Sequence, residues 1–232
     1  MEKNKILDKE YYRSSFLKYS TPTISDALDS LGVSGGLAGI RQRSSQQDCV
    51  GFAYTVKFVL MDKKDFKAAD DYIENVEKGD VVVIDNSGRD SCTVWGNILT
   101  EVAVRKGIAG TVVYGAVRDI SDIKDLKYPV FSSHVFMQSG KARVRIDAKQ
   151  CPVNINDVIV HNGDLLRCDT NGCVVVPRLH LDEVLIRSEN IHKTEQYILE
   201  GVRSGQPLDF LRRKYSYAKP WQDQSETTRK KN

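Results

Sequence analysis

Residues 81–119 read VVVIDNSGRDSCTVWGNILTEVAVRKGIAGTVVYGAVRD, and two apolar runs in this stretch frame an amphipathic segment. Val81-Val82-Val83-Ile84 and Thr111-Val112-Val113-Tyr114 are β-branched or aromatic throughout, each with a glycine just upstream, as expected of strands covered on both faces. Between them Ile98, Leu99, Val102 and Ala103 recur at helical spacing, Glu101 stands four residues before Arg105, and Gly107 supplies a stop. A strand–helix–strand crossover makes its two strands parallel, so the loops after Ile84 and Tyr114 leave the sheet at one edge. Two distant segments therefore meet there.

Upstream, Thr21-Pro22 followed by Ile24, Ala27, Leu28, Leu31 and Gly32 predicts a short helix, with Thr21 as cap and Pro22 at its first position. The run Val50 to Val59 predicts a strand with a glycine irregularity at Gly51. Downstream, His161-Asn162-Gly163-Asp164 and Thr170-Asn171-Gly172 lie between apolar runs and predict tight hairpins. Val184, Leu185, Ile191 and Ile198 predict a helix over about residues 181–201. The polar end of the chain predicts disorder.

At 232 residues and 41% hydrophobic, the chain suits a single globular domain. We place it over residues 1–205, with a core at about 21–177 and an extension at 206–232. With 34 basic against 31 acidic residues, net charge does not imply nucleic-acid binding; the basic excess gathers in Arg212-Arg213-Lys214 and Arg229-Lys230-Lys231. The sequence holds no apolar run of membrane-spanning length and no signal core behind its polar start, so no membrane association and a cytoplasmic location are expected. Cys49, Cys92, Cys151, Cys168 and Cys173 form no CxxC pair, and His134, His161, His180 and His192 show no metal-ligand spacing. Reduced, structural cysteines are expected.

Chemistry concentrates where the two loops meet. Gly96-Asn97-Ile98 opens the middle helix, where free N–H groups and the positive end of the dipole favour a carboxylate. Arg118 can grip a carboxylate through two parallel hydrogen bonds, and Asp119 beside it is a hard oxygen ligand. One carboxylate leaves most positions around Mg²⁺ for water and for the keto and carboxylate oxygens of a small 2-oxo acid, with Asp122 as a supporting residue. An isolated Arg–Asp dipeptide usually makes a turn ion pair. Its position at the end of a buried strand, facing a glycine-initiated helix, is what points to a site. Arg89, in the loop after the first strand, leaves the same edge and is a possible substrate contact.

Trp95-Gly96-Asn97 and Tyr114-Gly115-Ala116-Val117-Arg118-Asp119, with Asp26-Ala27-Leu28, Gly51 to Val56, Gly79 to Asp85 and Asp169 to Pro177, carry a family resemblance. The chain resembles the family that joins the class II 4-hydroxy-4-methyl-2-oxoglutarate aldolases with the regulator of ribonuclease E activity A (RraA) proteins. The resemblance implies an α/β fold, the RraA-like swivelling β/β/α domain, with mixed sheets, flanking helices and the parallel strand–helix–strand unit at the site. It also implies homotrimers or homohexamers with active sites at subunit interfaces. By the same resemblance Asp119 would hold Mg²⁺ or Mn²⁺, Arg118 would bind the pyruvate portion, and backbone N–H groups at Asn97, Ile98 and Leu99, reached past Gly96, would hold the carboxylate. The implied reaction is retro-aldol cleavage of a 4-hydroxy-2-oxo acid to pyruvate, with oxaloacetate decarboxylation through the same enolate.

One position departs from the aldolase pattern: an acidic residue follows the helix-start glycine there, and this chain has Asn97. A carboxylate can take a proton from a water beside the metal, whereas an amide orients the water but is no base at neutral pH. Two alternatives therefore stand: a non-catalytic regulator that binds a ribonuclease or helicase, and an enzyme retuned to another 2-oxo acid. The aldolases also take an acid from a neighbouring subunit's C-terminal part, for which Glu183, Glu189 and Glu195 are candidates.

Overall fold

The computed structural model describes residues 7–44, 47–62 and 71–217. In chain order the elements are α1 (Lys9–Phe16), α2 (Thr21–Asp29), β1 (Arg41–Gln42), β2 (Cys49–Leu60), β3 (Val81–Asp85), β4 (Thr93–Trp95), α3 (Asn97–Lys106), β5 (Gly110–Val117), α4 (Ile120–Asp125), β6 (Val130–Val135), β7 (Val144–Lys149), β8 (Val153–Ile155), β9 (Val158–Val160), β10 (Leu165–Asp169), β11 (Gly172–Val176), α5 (Leu181–Arg203) and α6 (Leu208–Lys214).

The main sheet runs β1-β6-β5-β3-β2-β10-β11, with β4 added to β5 and β7 to β2. Its centre, β6, β5, β3 and β2, is parallel, and β10 and β11 extend it antiparallel. The sheet nearly closes on itself: Gly36 bridges Val174, Leu37 N donates to Cys173 O and Val175 N donates to Gly35 O. Helices flank this mixed sheet, as the α/β reading expects.

β3 explains why its run is continuously apolar. Val82 and Ile84 face a core shared with Trp95, Ala103, Ile123 and Tyr128 beneath α3 and α4, whereas Val81 and Val83 face Phe131 and the β8–β9 hairpin. A third core packs Phe16, Ile24, Leu28, Phe52, Leu165 and Val184 under α1, α2 and α5. α3 ends at Gly107 in the left-handed conformation, as its spacing predicts.

Several local expectations are corrected. The α2 cap is Ser20, one residue earlier than expected; its hydroxyl accepts from Thr23 N, because Thr21 is drawn onto Asp169 through both N and Oγ1 (2.8 Å each). Arg105 pairs with Glu74 across space (3.3 Å) rather than with Glu101 one turn back. The turn at residues 161–164 is no hairpin. Gly163 N donates to Ala53 O and Ala53 N to Asp164 O, so the chain passes from the β8–β9 pair into the main sheet. Thr170-Asn171 does close a hairpin, with Asp169 opposite Gly172. β4 went unrecognised because three residues are too few for a periodic signal.

Within the stretch read as an extension, α6 docks Leu211 (1% exposed) against Gly201 of α5, and its last turn carries Arg212, Arg213 and Lys214. Residues 218–232, including Arg229-Lys230-Lys231 and most of the stretch expected to be disordered, lie outside the described residues. All five cysteines are free, and Cys49, Cys168 and Cys173 stand in one register row across β2, β10 and β11. Burial pushes the Cys168 and Cys173 thiols up, and at Cys49 a hydrogen bond with Cys168 acts ahead of burial, so none of these three is a ready nucleophile. Among the described residues no helix is long and apolar enough to cross a membrane.

Two stability predictions follow from these contacts. Ile84→Ala empties a fully buried position on β3 and is expected to cost about 2–5 kcal/mol, read by urea unfolding. Burial alone would raise the Asp169 carboxyl, but hydrogen bonds from Thr21 and Asn171 outweigh it and hold the pKa below the ordinary 3.8. Its stabilising contribution is therefore complete above that value and fades as pH falls through the lower folded pKa. Asp169→Asn should lower stability at neutral pH and flatten that part of the acid-unfolding profile.

Candidate functional site

The parallel pairing of β4 with β5 places the ends of both strands side by side, with Trp95 opposite Val117. One residue farther, Arg118 N donates to Trp95 O (3.1 Å), and Gly96 turns the chain from β4 into α3. Asp119 follows in the left-handed conformation (φ 59°) as the N-cap of α4. A non-glycine residue there carries a backbone cost of about 1–2 kcal/mol. In that conformation its Oδ2 accepts from Asn97 N at 3.1 Å, so the carboxylate caps α3 from across the edge.

Gly96 makes room for this approach. A Cβ at position 96 would stand 2.6 Å from Asp119 Oδ2 and 3.2 Å from Arg118 Cγ. Arg118 Nε lies 3.5 Å from Asp119 Oδ2, and both side chains are about a third exposed. An ion pair this open contributes little stability; its effect is to orient two groups that a ligand can still reach. Asn97 Nδ2 donates to Asp122 Oδ2 at 3.0 Å, which joins the start of α3 to the first turn of α4.

The structure thus brings together Gly96, Asn97, Arg118, Asp119 and Asp122. The Ile98 and Leu99 N–H groups lie in the first turn of α3 and have no intrahelical acceptor. Their side chains differ: Ile98 is 76% exposed, whereas Leu99 packs on the core beneath the sheet. Arg89 is placed one strand over, in the β3–β4 loop, with Nη1 donating to Asn86 O (2.9 Å) and Oδ1 (3.2 Å).

Asp119 and Asp122 stand one turn apart, each with one oxygen bonded to Asn97. Among the described residues no group of three His, Cys, Asp or Glu could hold a metal, so any ion here would take one or two carboxylates and complete its shell with water and ligand oxygens. That donor set fits a hard, strongly hydrated cation such as Mg²⁺ or Mn²⁺ and does not fit a soft or fully protein-caged ion.

Two supporting contacts, made by Trp95 with Thr100 and by Asn86, were not legible in the sequence. Trp95 donates its Nε1 to Thr100 Oγ1 (2.9 Å), and Thr100 Oγ1 in turn donates to Gly96 O (3.0 Å), bracing the strand-to-helix turn from within the core. Asn86, fully buried, holds the Arg89 loop. The partners of these side chains become visible only in space. Glu183, Glu189 and Glu195, the candidates for an acid supplied by a neighbouring subunit, all lie on α5. Glu183 pairs with Arg187 and Glu189 with Lys193, while burial, then Asp26, raises the Glu195 carboxyl. Cys92 is buried, and His134 contacts Ser133 Oγ at 3.1 Å.

A family model described as RraA-like, Aldolase/RraA, matches residues 21–175. Protein DlpA of Legionella pneumophila is 44% identical over 200 residues, 85% of this chain and 32% of that protein, so the chain spans about a third of that relative's length. A Halalkalibacterium halodurans protein named "Putative 4-hydroxy-4-methyl-2-oxoglutarate aldolase" is 31% identical over 176 residues, 76% of this chain and 81% of that one. Among solved structures, an uncharacterized protein from Pseudomonas syringae superposes with TM-score 0.82 at 41% identity, covering 88% of this chain and 97% of the other. Streptomyces coelicolor RraAS2, described as an unusual member of the RNase ES inhibitor RraA protein family, superposes with TM-score 0.73 at 25% identity over 81% and 94% of the two chains.

Gly96→Ala tests the geometry directly. The backbone at position 96 (φ −165°) accepts alanine and the nearest atom is the end of the Asp119 side chain, so the expected loss in urea unfolding is small, about 0.5 kcal/mol or less. A crystal structure of the variant should show the Asn97 N–Asp119 bond broken.

Proposed function

The chain belongs to the RraA-like (Aldolase/RraA) family, and on that premise we propose that it is a divalent-metal-dependent lyase. Its substrate in this reading is a 4-hydroxy-2-oxo acid of the 4-hydroxy-4-methyl-2-oxoglutarate type, cleaved to pyruvate, with oxaloacetate decarboxylation as a side reaction. One observation carries the reading: Arg118, Asp119 and the open first turn of α3 converge around Gly96, which has no side chain to fill the space.

The chemistry follows from what each group can do. The carboxylate of a 2-oxo acid suits the Ile98 and Leu99 N–H groups, which the helix itself leaves unsatisfied. Cleavage of the bond between C3 and C4 turns the 4-hydroxyl into a carbonyl as its proton passes to water, and the electron pair of the broken bond moves toward the C2 carbonyl, so negative charge develops on that oxygen until C3 takes up a proton from solvent. Arg118 can place its planar fork against that charge. Asp119, with Asp122 behind Asn97, would hold Mg²⁺ or Mn²⁺, which when bound supplies Lewis-acid polarisation of the keto group. Asn97 orients and does not take a proton, because its amide is engaged with Asp122 and is not basic.

That same amide favours a second reading, in which the chain binds a ribonuclease or helicase and turns over nothing. Assembly as a homotrimer or homohexamer belongs to the first reading. Ile98 beside the site and Met137 beyond β6, both 76% exposed, offer apolar surface for it.

A coupled pyruvate assay with oxaloacetate and 4-hydroxy-4-methyl-2-oxoglutarate separates these readings. Arg118→Ala is expected to lower kcat/KM about 10²–10³-fold, Asn97→Asp to raise it, and chelation to abolish it until Mg²⁺ or Mn²⁺ is restored. Full activity in Arg118→Ala, or no pyruvate from either substrate in the wild type, rejects the lyase.

A further inference from the structure

Arg89 is held in place by its loop. Asn86 N and Gly88 N both donate to Tyr114 O on β5 (2.9 and 3.2 Å), and Arg89 N closes a tight turn onto Asn86 O (3.1 Å) through Ser87 and Gly88, both at positive φ. Asn86 is fully buried, and its Nδ2 donates to Cys92 O (3.4 Å). Gly115 admits this contact: a Cβ there would lie 2.9 Å from Asn86 Cβ and 3.4 Å from Arg89 O. The backbone of Arg89 therefore rests on β5 three residues before Arg118. At a rise of about 3.3 Å per residue that is about 10 Å along the strand, close enough for one ligand to reach both residues.

Among the described residues the guanidinium is anchored on one nitrogen only, Nη1, by Asn86 O and Oδ1. Among the described residues no carboxylate pairs with it. Asp85 accepts instead from Ser87 N (2.7 Å) and Asn154 N (3.4 Å), and Asp90, although adjacent in the chain, is exposed and makes no ion pair with it. Arg118, by contrast, already faces Asp119. A half-buried arginine pinned through one nitrogen keeps its Nε–Nη2 edge for a carboxylate and loses little freedom on binding one.

We propose that Arg89 is a specificity-determining residue that binds the distal carboxylate of the 2-oxo dicarboxylate substrate. The proposal rests on the reading of Arg118, Asp119 and the start of α3 as a 2-oxo-acid site. The first turn of α3 takes the carboxylate beside the keto group, Arg118 faces the keto oxygen, and Arg89 takes the far carboxylate. Asn86 acts through Arg89 as its positioning residue.

Calorimetric binding of 2-oxoglutarate and 2-oxopentanoate to the full chain with Mg²⁺ tests this without turnover. The wild type should favour the diacid at least about tenfold, as expected for a charge-assisted, two-pronged contact. Arg89→Gln keeps a donor for Asn86 and should weaken the diacid about 10–100-fold while leaving the monoacid unchanged. Arg89→Lys, with charge but no fork, should fall between.

Equal weakening of both ligands, an unchanged preference in Arg89→Gln, no preference in the wild type, or no binding of either ligand overturns the proposal. The pyruvate assay on the same preparations keeps the two ideas apart. Diacid preference lost in Arg89→Gln but without pyruvate release removes the lyase and leaves the role of Arg89. Pyruvate release with an unchanged preference does the reverse.

Discussion

Parallel pairing of β3 with β5, register Val81 opposite Gly110 through Asp85 opposite Tyr114, is the constraint on which the rest depends. A buried strand has no solvent to satisfy its amides, so β3 must bond on both sides, and it does so with β2 and β5. Parallel neighbours then force a crossover, and the crossover is α3. The loops leaving β3 and β5 emerge at one edge because nothing else is compatible with that pairing.

The polar residues at that edge are arranged by close backbone approach more than by ion pairs. Gly96 and Gly115 each leave out a side chain where another segment presses against the sheet, Arg118–Asp119 at one and Asn86 at the other. The left-handed Asp119 stores a modest strain that is offset by capping α3. Exposed charge pairs such as Arg118 with Asp119 would not hold this geometry alone; the buried braces, Trp95 with Thr100 and Asn86 with Cys92, do.

Asn97 shows how one atom alters what such a scaffold can do. As an amide it donates to Asp122 and links two helix starts. A carboxylate in its place could not donate that bond and would face two acidic neighbours, gaining basicity at the expense of local order. The same backbone is thus compatible with turnover or with quiet binding, and the difference lies in a side chain rather than in the fold.

Much of this was readable without coordinates. The runs at residues 81–84 and 111–114, the spacing from Ile98 to Ala103 and the stop at Gly107 specify the strand–helix–strand unit and the meeting of Gly96-Asn97 with Arg118-Asp119, because periodicity and chain reversal are local properties. Three-residue β4, the passage of the chain at residues 161–164 into the main sheet and the near-closure of the sheet through residues 35–37 were not, since each depends on which distant amides remain to be paired. Nor could the sequence say that Asn97 would be tied to Asp122 or that Arg89 would stand without an acid among the described residues. A side chain's hydrogen-bond partner is chosen by what the packed backbone brings within about 3 Å, and that is decided only when the sheet has closed.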